Sequence, residues 1–140
     1  MITVERFIPE DLAEMAVQPV QRELGSDPIA RGRLLSLTGR CFTVRAGGAP
    51  IFCGGVTITH SGYATMWSAF ALDAGPEMLA ITRRTLEFIK RLDFKRIDAV
   101  VHSDHRAGHR WVFRLGFAPE ARLNDYFEDG GDAVIYRLKR

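Results

Sequence analysis

A chain of 140 residues can bury roughly 70% of its unfolded surface, enough for one core without staples, so residues 1–140 read as a single domain. Its 19 Lys and Arg are dispersed among 17 Asp and Glu for a net charge of +2, which argues against the clustered basic face of a nucleic-acid track. No apolar run approaches the roughly 20 residues that span a bilayer, and Met1-Ile2-Thr3-Val4-Glu5-Arg6 lacks the regions of a signal peptide; the expectation is a soluble intracellular protein with neither membrane nor nucleic acid as a partner.

In chain order, Ile2 to Phe7 reads as a first strand, and Pro9-Glu10-Asp11 opens a helix with Leu12, Met15 and Ala16. Helical character continues over Gln18 to Leu24 until Gly25, and Asp27-Pro28 starts another short helix toward Leu37. Arg40 to Arg45, Ile51 to His60 and Tyr63 to Leu72 read as three antiparallel strands joined at Gly47-Gly48 and Ser61-Gly62. Glu77 to Leu92 is a long helix, with Leu79, Leu86, Ile89 and Leu92 recurring near the helical period. Ala133 to Leu138 is the last strand, after the turn Asp129-Gly130-Gly131-Asp132. No repeat, low-complexity tract or linker divides the chain.

Cys41 and Cys53 flank the hairpin turn and, with that turn centred on Gly47, would stand nearly opposite each other as free thiols. There is no CxxC pair, and His105 and His109, spaced i, i+4, have no third ligand at a defined spacing, so no metal is expected.

The segment Arg96 to Phe117 carries the most information. A strand-like run, Arg96 to His102, passes through Ser103-Asp104 into a short helix. Gly108, Trp111, Val112 and Leu115 share one face of that helix, and Arg106, Arg110 and Arg114 share the other. Gly116 ends it and Phe117 starts a new strand. Strand, helix and an abrupt Leu-Gly-Phe exit resemble the C-terminal half of the GNAT superfamily of acyl-CoA-dependent N-acetyltransferases, and the order of elements extends the resemblance to almost the whole chain.

The resemblance implies an α/β fold: a mixed, mostly antiparallel sheet of about six or seven strands with flanking helices, splayed between strands four and five. It implies acetyl-CoA as cosubstrate and a small-molecule or protein amine as acceptor. Backbone amides around Phe70, Ala71 and Leu72 would pair with pantetheine, one of them stabilising the oxyanion. The pyrophosphate would sit over residues 77–82 at a helix N-terminus.

Two departures stand out against the family pattern. The glycines of its Gln/Arg-x-x-Gly-x-Gly/Ala loop, which admit phosphates to bare backbone, are replaced by Met78, Ala80 and Thr82, leaving Gly75 nearby and Glu77 unfavourable. Arg83 and Arg84 would supply the compensating charge. The usual general-acid tyrosine is Val112, and His105, in the asparagine slot, would hydrogen-bond the coenzyme. Tyr126 as acid and Glu128 as base, in the loop before the last strand, are the remaining catalytic candidates. Trp67 and Trp111 read as core aromatics.

A narrower resemblance, on Met66-Trp67, Arg110-Trp111, Leu115-Gly116-Phe117, Tyr126, Asp129-Gly130 and Tyr136, is to a GNAT-like group encoded by tailed bacteriophages. It implies a rival class: a non-catalytic virion or assembly protein, partnered by phage virion proteins, that keeps the fold after losing the coenzyme loop.

Overall fold

A computed structural model describes residues 1–15 and 27–139. The helix expected over Gln18 to Leu24 lies outside them. Strand β1 (Ile2–Arg6) leads into α1 (Pro9–Glu14); α2 (Pro28–Thr38) leads into β2 (Gly39–Ala46), β3 (Ala49–His60) and β4 (Tyr63–Phe70). A 3-10 turn (Gly75–Glu77) precedes α3 (Met78–Lys90), followed by β5 (Arg96–His102), α4 (Arg106–Arg114), β6 (Phe117–Leu123) and β7 (Ala133–Leu138).

Local chemistry accounts for the boundaries. Pro9 and Pro28 sit at the first helical positions, where a missing N–H costs nothing, and the Asp27 side chain caps α2 by accepting the Ala30 amide at 3.1 Å. Gly47 and Gly48, at φ 58° and 86°, make the two-residue turn between β2 and β3. The long helix starts at Met78 rather than Glu77, because Gly75-Pro76-Glu77 is wound as 3-10. β4 stops two residues short of Leu72, where the chain enters the turn closed by the Ala74 amide on the Ala71 carbonyl.

The seven strands form one sheet in the order β1-β2-β3-β4-β5-β7-β6. Among the paired strands, β4 and β5 alone run parallel, as the crossover through α3 requires. Their register runs from Tyr63 opposite Arg96 to Met66 opposite Ala99 and ends there, although β4 continues to Phe70 and β5 to His102. The sheet is split at the C-terminal ends of its two middle strands.

Strand alternation sorts the core into two faces. Phe42, Phe52 and Met66 point to the face covered by α3 and α4, where Phe42 meets Phe88 and Phe52 meets Trp111 at ring separations of 5.0 and 5.8 Å. Thr43, Cys53 and Trp67 point to the face under α1 and α2. There the Thr43 hydroxyl donates to Asp11 at 2.7 Å, and Phe7 stands edge-on to Trp67 at 5.5 Å. Asp11, 1% exposed, also pairs with Arg45 and accepts the Ile8 amide.

The cysteine register differs from the expectation. Both thiols are free and lie on adjacent strands, but Cys41 faces Gly55 and Cys53 faces Thr43, so the pair is diagonal. The turn is centred between Gly47 and Gly48, and a register shift after Val44 moves the partners a further step.

Candidate active site

Beyond Met66 and Ala99, where β4 and β5 part, a cleft of about 420 Å³ fills the wedge. Phe70, Gly108, Trp111 and Val112 form its wall on the side of α3 and α4. Thr65, Trp67 and Val100, with Arg31 of α2 and Tyr126 and Phe127 of the loop before β7, form the wall on the other side. The cleft therefore joins the two faces of the sheet through the split.

Three histidines stand where β5 hands over to α4. His102 accepts the Asp104 amide at Nδ1 (3.1 Å), so its proton is on Nε2, which donates to Asp129 Oδ2 at 3.0 Å. Phe127 stacks on this ring at 4.9 Å and 18°. His109 places Nε2 at 3.0 Å from the Ser103 carbonyl, which can only accept, so Nδ1 is left to accept from the Tyr136 hydroxyl at 2.6 Å. Burial pushes the Tyr136 phenol above its usual range.

His105 differs from both. It lines the cleft over Gly108, and its ring has no protein hydrogen bond among the described residues. Partial burial, reinforced by the nearby His109 and His102, holds its pKa below the ordinary 6.5. It presents a neutral imidazole to the cleft at neutral pH.

The other expected site residues divide. Tyr126 lines the cleft, half exposed, and so does Phe70. Glu128 is exposed and does not line it; its neighbour Asp129 turns inward instead, because Oδ2 holds His102 while Oδ1 accepts the Gly131 amide at 2.7 Å. The Ala71 amide donates to the Ile51 carbonyl at 2.9 Å and is not free in this structure. Leu72 lies in the turn past β4 and outside the cleft wall. Arg83 and Arg84 are exposed on α3, away from the wedge, with Arg84 3.4 Å from Glu87.

The start of α3 also departs from the expected amide cradle. The Glu77 and Met78 amides donate to the Ala74 and Gly75 carbonyls, so the 3-10 turn consumes the first two donors of the 77–82 segment. Thr82, in a glycine slot of the family pattern, donates to the Met78 carbonyl at 2.6 Å and accepts the Trp111 indole N–H at 3.0 Å. The side chain that replaces a small residue thus fastens α3 to α4. Trp111 is a buried core aromatic as read and also lines the cleft, whereas Trp67 is half-buried and forms the opposite wall.

Sequence reasoning missed Thr65, His102 and the cluster behind Thr65, where the Tyr63 hydroxyl meets buried Asp98. The available signal was Asp98 itself, a carboxylate between Ile97 and Ala99 in an otherwise apolar strand. Among the described residues, no group of three His, Cys, Asp or Glu is placed to hold a metal ion, and no helix is long and apolar enough to cross a membrane.

Solved acetyltransferases share this fold. The ribosomal-protein-S18-alanine N-acetyltransferase of Escherichia coli superposes with a TM-score of 0.78 at 16% identity, over 99% of this chain and 93% of its own. Ard1 from Thermoplasma volcanium gives 0.80 at 15% identity, over 99% of both chains. The chain has the GNAT fold. A GNAT family acetyltransferase from Elizabethkingia anophelis, solved with acetyl-CoA bound, gives 0.69 at 12% identity over 99% of this chain and 98% of its own. No protein-family model and no curated protein sequence matches the chain. The narrower bacteriophage resemblance gains no support from these relatives.

Proposed function

We propose that the protein is an acyl-CoA-dependent N-acetyltransferase that moves an acetyl group from acetyl-CoA to a primary amine. The observation that carries this reading is the cleft at the split between β4 and β5, which opens to both faces of the sheet. A thioester entering from the side of α3 and α4 would meet an amine arriving from the side of Tyr126 and Phe127.

The chain's residues fit the acyl-pantetheine arm. Phe70, Trp111 and Val112 give an apolar wall, and His105, seated on Gly108, offers an uncommitted imidazole. When bound, acetyl-CoA supplies the activated acetyl group. His105 would hydrogen-bond the arm, and Tyr126 would border the amine. Since the 3-10 turn occupies the Glu77 and Met78 amides, recognition of the phosphates falls to side chains, with Arg83 and Arg84 the candidates on α3.

A second reading draws on that same closed turn: a non-catalytic assembly protein that retains the fold. Calorimetric titration with acetyl-CoA separates the two. Micromolar binding, weakened about tenfold by Arg83→Glu with Arg84→Glu, is expected of the transferase, since a charge-assisted contact contributes on the order of 1.5–3 kcal/mol. Absence of binding at millimolar acetyl-CoA would leave the assembly reading.

A further inference from the structure

Behind the cleft wall lies a polar cluster built on a buried carboxylate. Asp98 sits on β5, 3% exposed, with Ile97 and Ala99 as its neighbours in sequence. Its Oδ2 accepts from the Tyr63 hydroxyl at 2.6 Å and from Arg96 at 3.5 Å, whereas Oδ1 is buried without a hydrogen-bond partner. A buried carboxylate with one unmatched oxygen is costly to keep for stability alone. Thr65, opposite Asp98 across the parallel pair, lines the cleft and lies 3.3 Å from the Tyr63 hydroxyl.

Donor directions in this cluster are fixed by chemistry. An ionised carboxylate only accepts, so the single Tyr63 proton points to Asp98, and the Thr65 hydroxyl must therefore donate to Tyr63. Every proton in the chain points away from the cleft and toward the buried carboxylate. The chain begins one residue before the last β4–β5 pair, Met66 opposite Ala99, and thus at the apex of the wedge.

Resting on the transferase reading above, we infer that Thr65, Tyr63 and Asp98 form a proton relay that deprotonates the acceptor amine. Attack on the thioester carbonyl forms the C–N bond and leaves positive charge on nitrogen. That nitrogen gives a proton to Thr65 Oγ1 as the Thr65 proton passes to Tyr63 and the Tyr63 proton to Asp98 Oδ2. Asp98 becomes a neutral carboxylic acid. The C–S bond breaks with its electron pair on sulfur, the thiolate takes a proton from water, and Asp98 returns its proton to solvent along the same chain once the products leave. Thr65 is the group that meets the amine; Tyr63 and Asp98 act through it.

Other charged groups surround the relay. Arg96, held by Glu120 at 2.6 Å, flanks Asp98 on its own strand, and Arg137 is its register partner on β7. Both are cations on the strands that flank the acceptor end of the chain.

The test uses the full-length protein with acetyl-CoA and phenethylamine as the probe amine, in Asp98→Asn, Tyr63→Phe, Thr65→Val and Thr65→Ser variants. Removing any one link should lower kcat about a hundredfold, within the usual range for proton transfer by a positioned side chain. KM for acetyl-CoA should be unchanged, and the deficit should shrink as pH rises and hydroxide takes the proton from the attacking nitrogen in place of the relay. Thr65→Ser, which keeps the hydroxyl, should recover most of the rate lost in Thr65→Val. A merely structural role would give neither the serine recovery nor the pH dependence. Native kcat in folded Tyr63→Phe and Thr65→Val proteins overturns the relay, as does acetyl-CoA binding by a native protein that acetylates no amine. Failure of the native protein to bind acetyl-CoA overturns the transferase reading itself, and the relay with it.

Discussion

The His105 imidazole rests on Gly108 so closely that a Cβ at residue 108 would stand 2.6 Å from Nδ1. Glycine at this helical position is explained by the ring it accommodates. Ala lies about 1 kcal/mol above Gly in helix propensity, and rotating a ring to a poorer rotamer costs of order 0.5–1.5 kcal/mol, so the two effects nearly cancel. Gly108→Ala should therefore leave the melting temperature within a few degrees of native. In the transferase reading, acetyl-CoA affinity should drop, because His105 is turned out of its place on the cleft wall. A variant with native affinity would show that His105 makes no contact with the coenzyme.

The same ring gives stability a pH dependence whose sign follows from its surroundings. The folded protein holds the His105 pKa below 6.5 and so favours the neutral form. Stability from this group is present above the ordinary histidine value and is lost as pH falls through the lower folded value. Native protein should lose more melting temperature between pH 7 and pH 5 than His105→Gln does. Parallel pH curves for the two proteins would remove His105 as the source.

Much of the fold was legible because its signals are local. The alternating run Arg96 to His102 coincides with β5, Ala133 to Leu138 coincides with β7, and the Asp27-Pro28 start of α2 is a side-chain cap followed by proline. The parallel neighbours followed from the length of the α3 crossover. The site was less legible because its contacts are long-range. Nothing near Glu128 reveals that Asp129, not its neighbour, turns toward His102, 27 positions away. Nor does the stretch from Met78 to Thr82 disclose that Thr82 receives the Trp111 indole from another helix. The closed turn at Gly75–Glu77 is hidden for a different reason: Gly75 stands beside the slots of the family's phosphate loop, whereas the proline that follows it starts a 3-10 turn.

Arg45 provides the sharpest stability prediction. Its guanidinium, 19% exposed at the side chain, pairs with Asp11, whose side chain is 1% exposed, and reaches Glu5 at 2.9 Å. Removing one partner of a buried pair costs about 3–5 kcal/mol because a charge is left behind, and Asp11 retains Thr43 and the Ile8 amide, which places Arg45→Met near the low end of that range. Denaturant unfolding should show a loss of about 3 kcal/mol, and the double variant Asp11→Leu with Arg45→Met should recover part of it. A loss no larger than that of an exposed pair, about 0–1 kcal/mol, would mean that Asp11 is satisfied without Arg45.

The turn that carries Tyr126 and Phe127 is held to the cleft by Asp129. One carboxylate oxygen takes the His102 Nε2–H at 3.0 Å, the other takes the Gly131 amide at 2.7 Å, and the Gly131 carbonyl in turn accepts the Tyr126 and Phe127 amides at 3.0 Å each. A side chain at Gly131 would displace the His102–Asp129 pair, since a Cβ would stand 2.3 Å from His102 Nε2 and 2.7 Å from Asp129 Oδ1. Asp129→Ala removes both of these carboxylate hydrogen bonds but touches no residue of the core. The expected loss of global stability is modest, about 1–2 kcal/mol for partly exposed hydrogen bonds. Local opening should respond much more: the Tyr126 and Phe127 amides should exchange hydrogen faster while those of α4 stay protected. In the transferase reading, KM for the amine should rise and acetyl-CoA affinity should hold, because the turn borders the acceptor end of the cleft and not the wall formed by α4. Equal exchange rates in native and variant protein would show that the stack of Phe127 on His102, and not the carboxylate, fixes the turn.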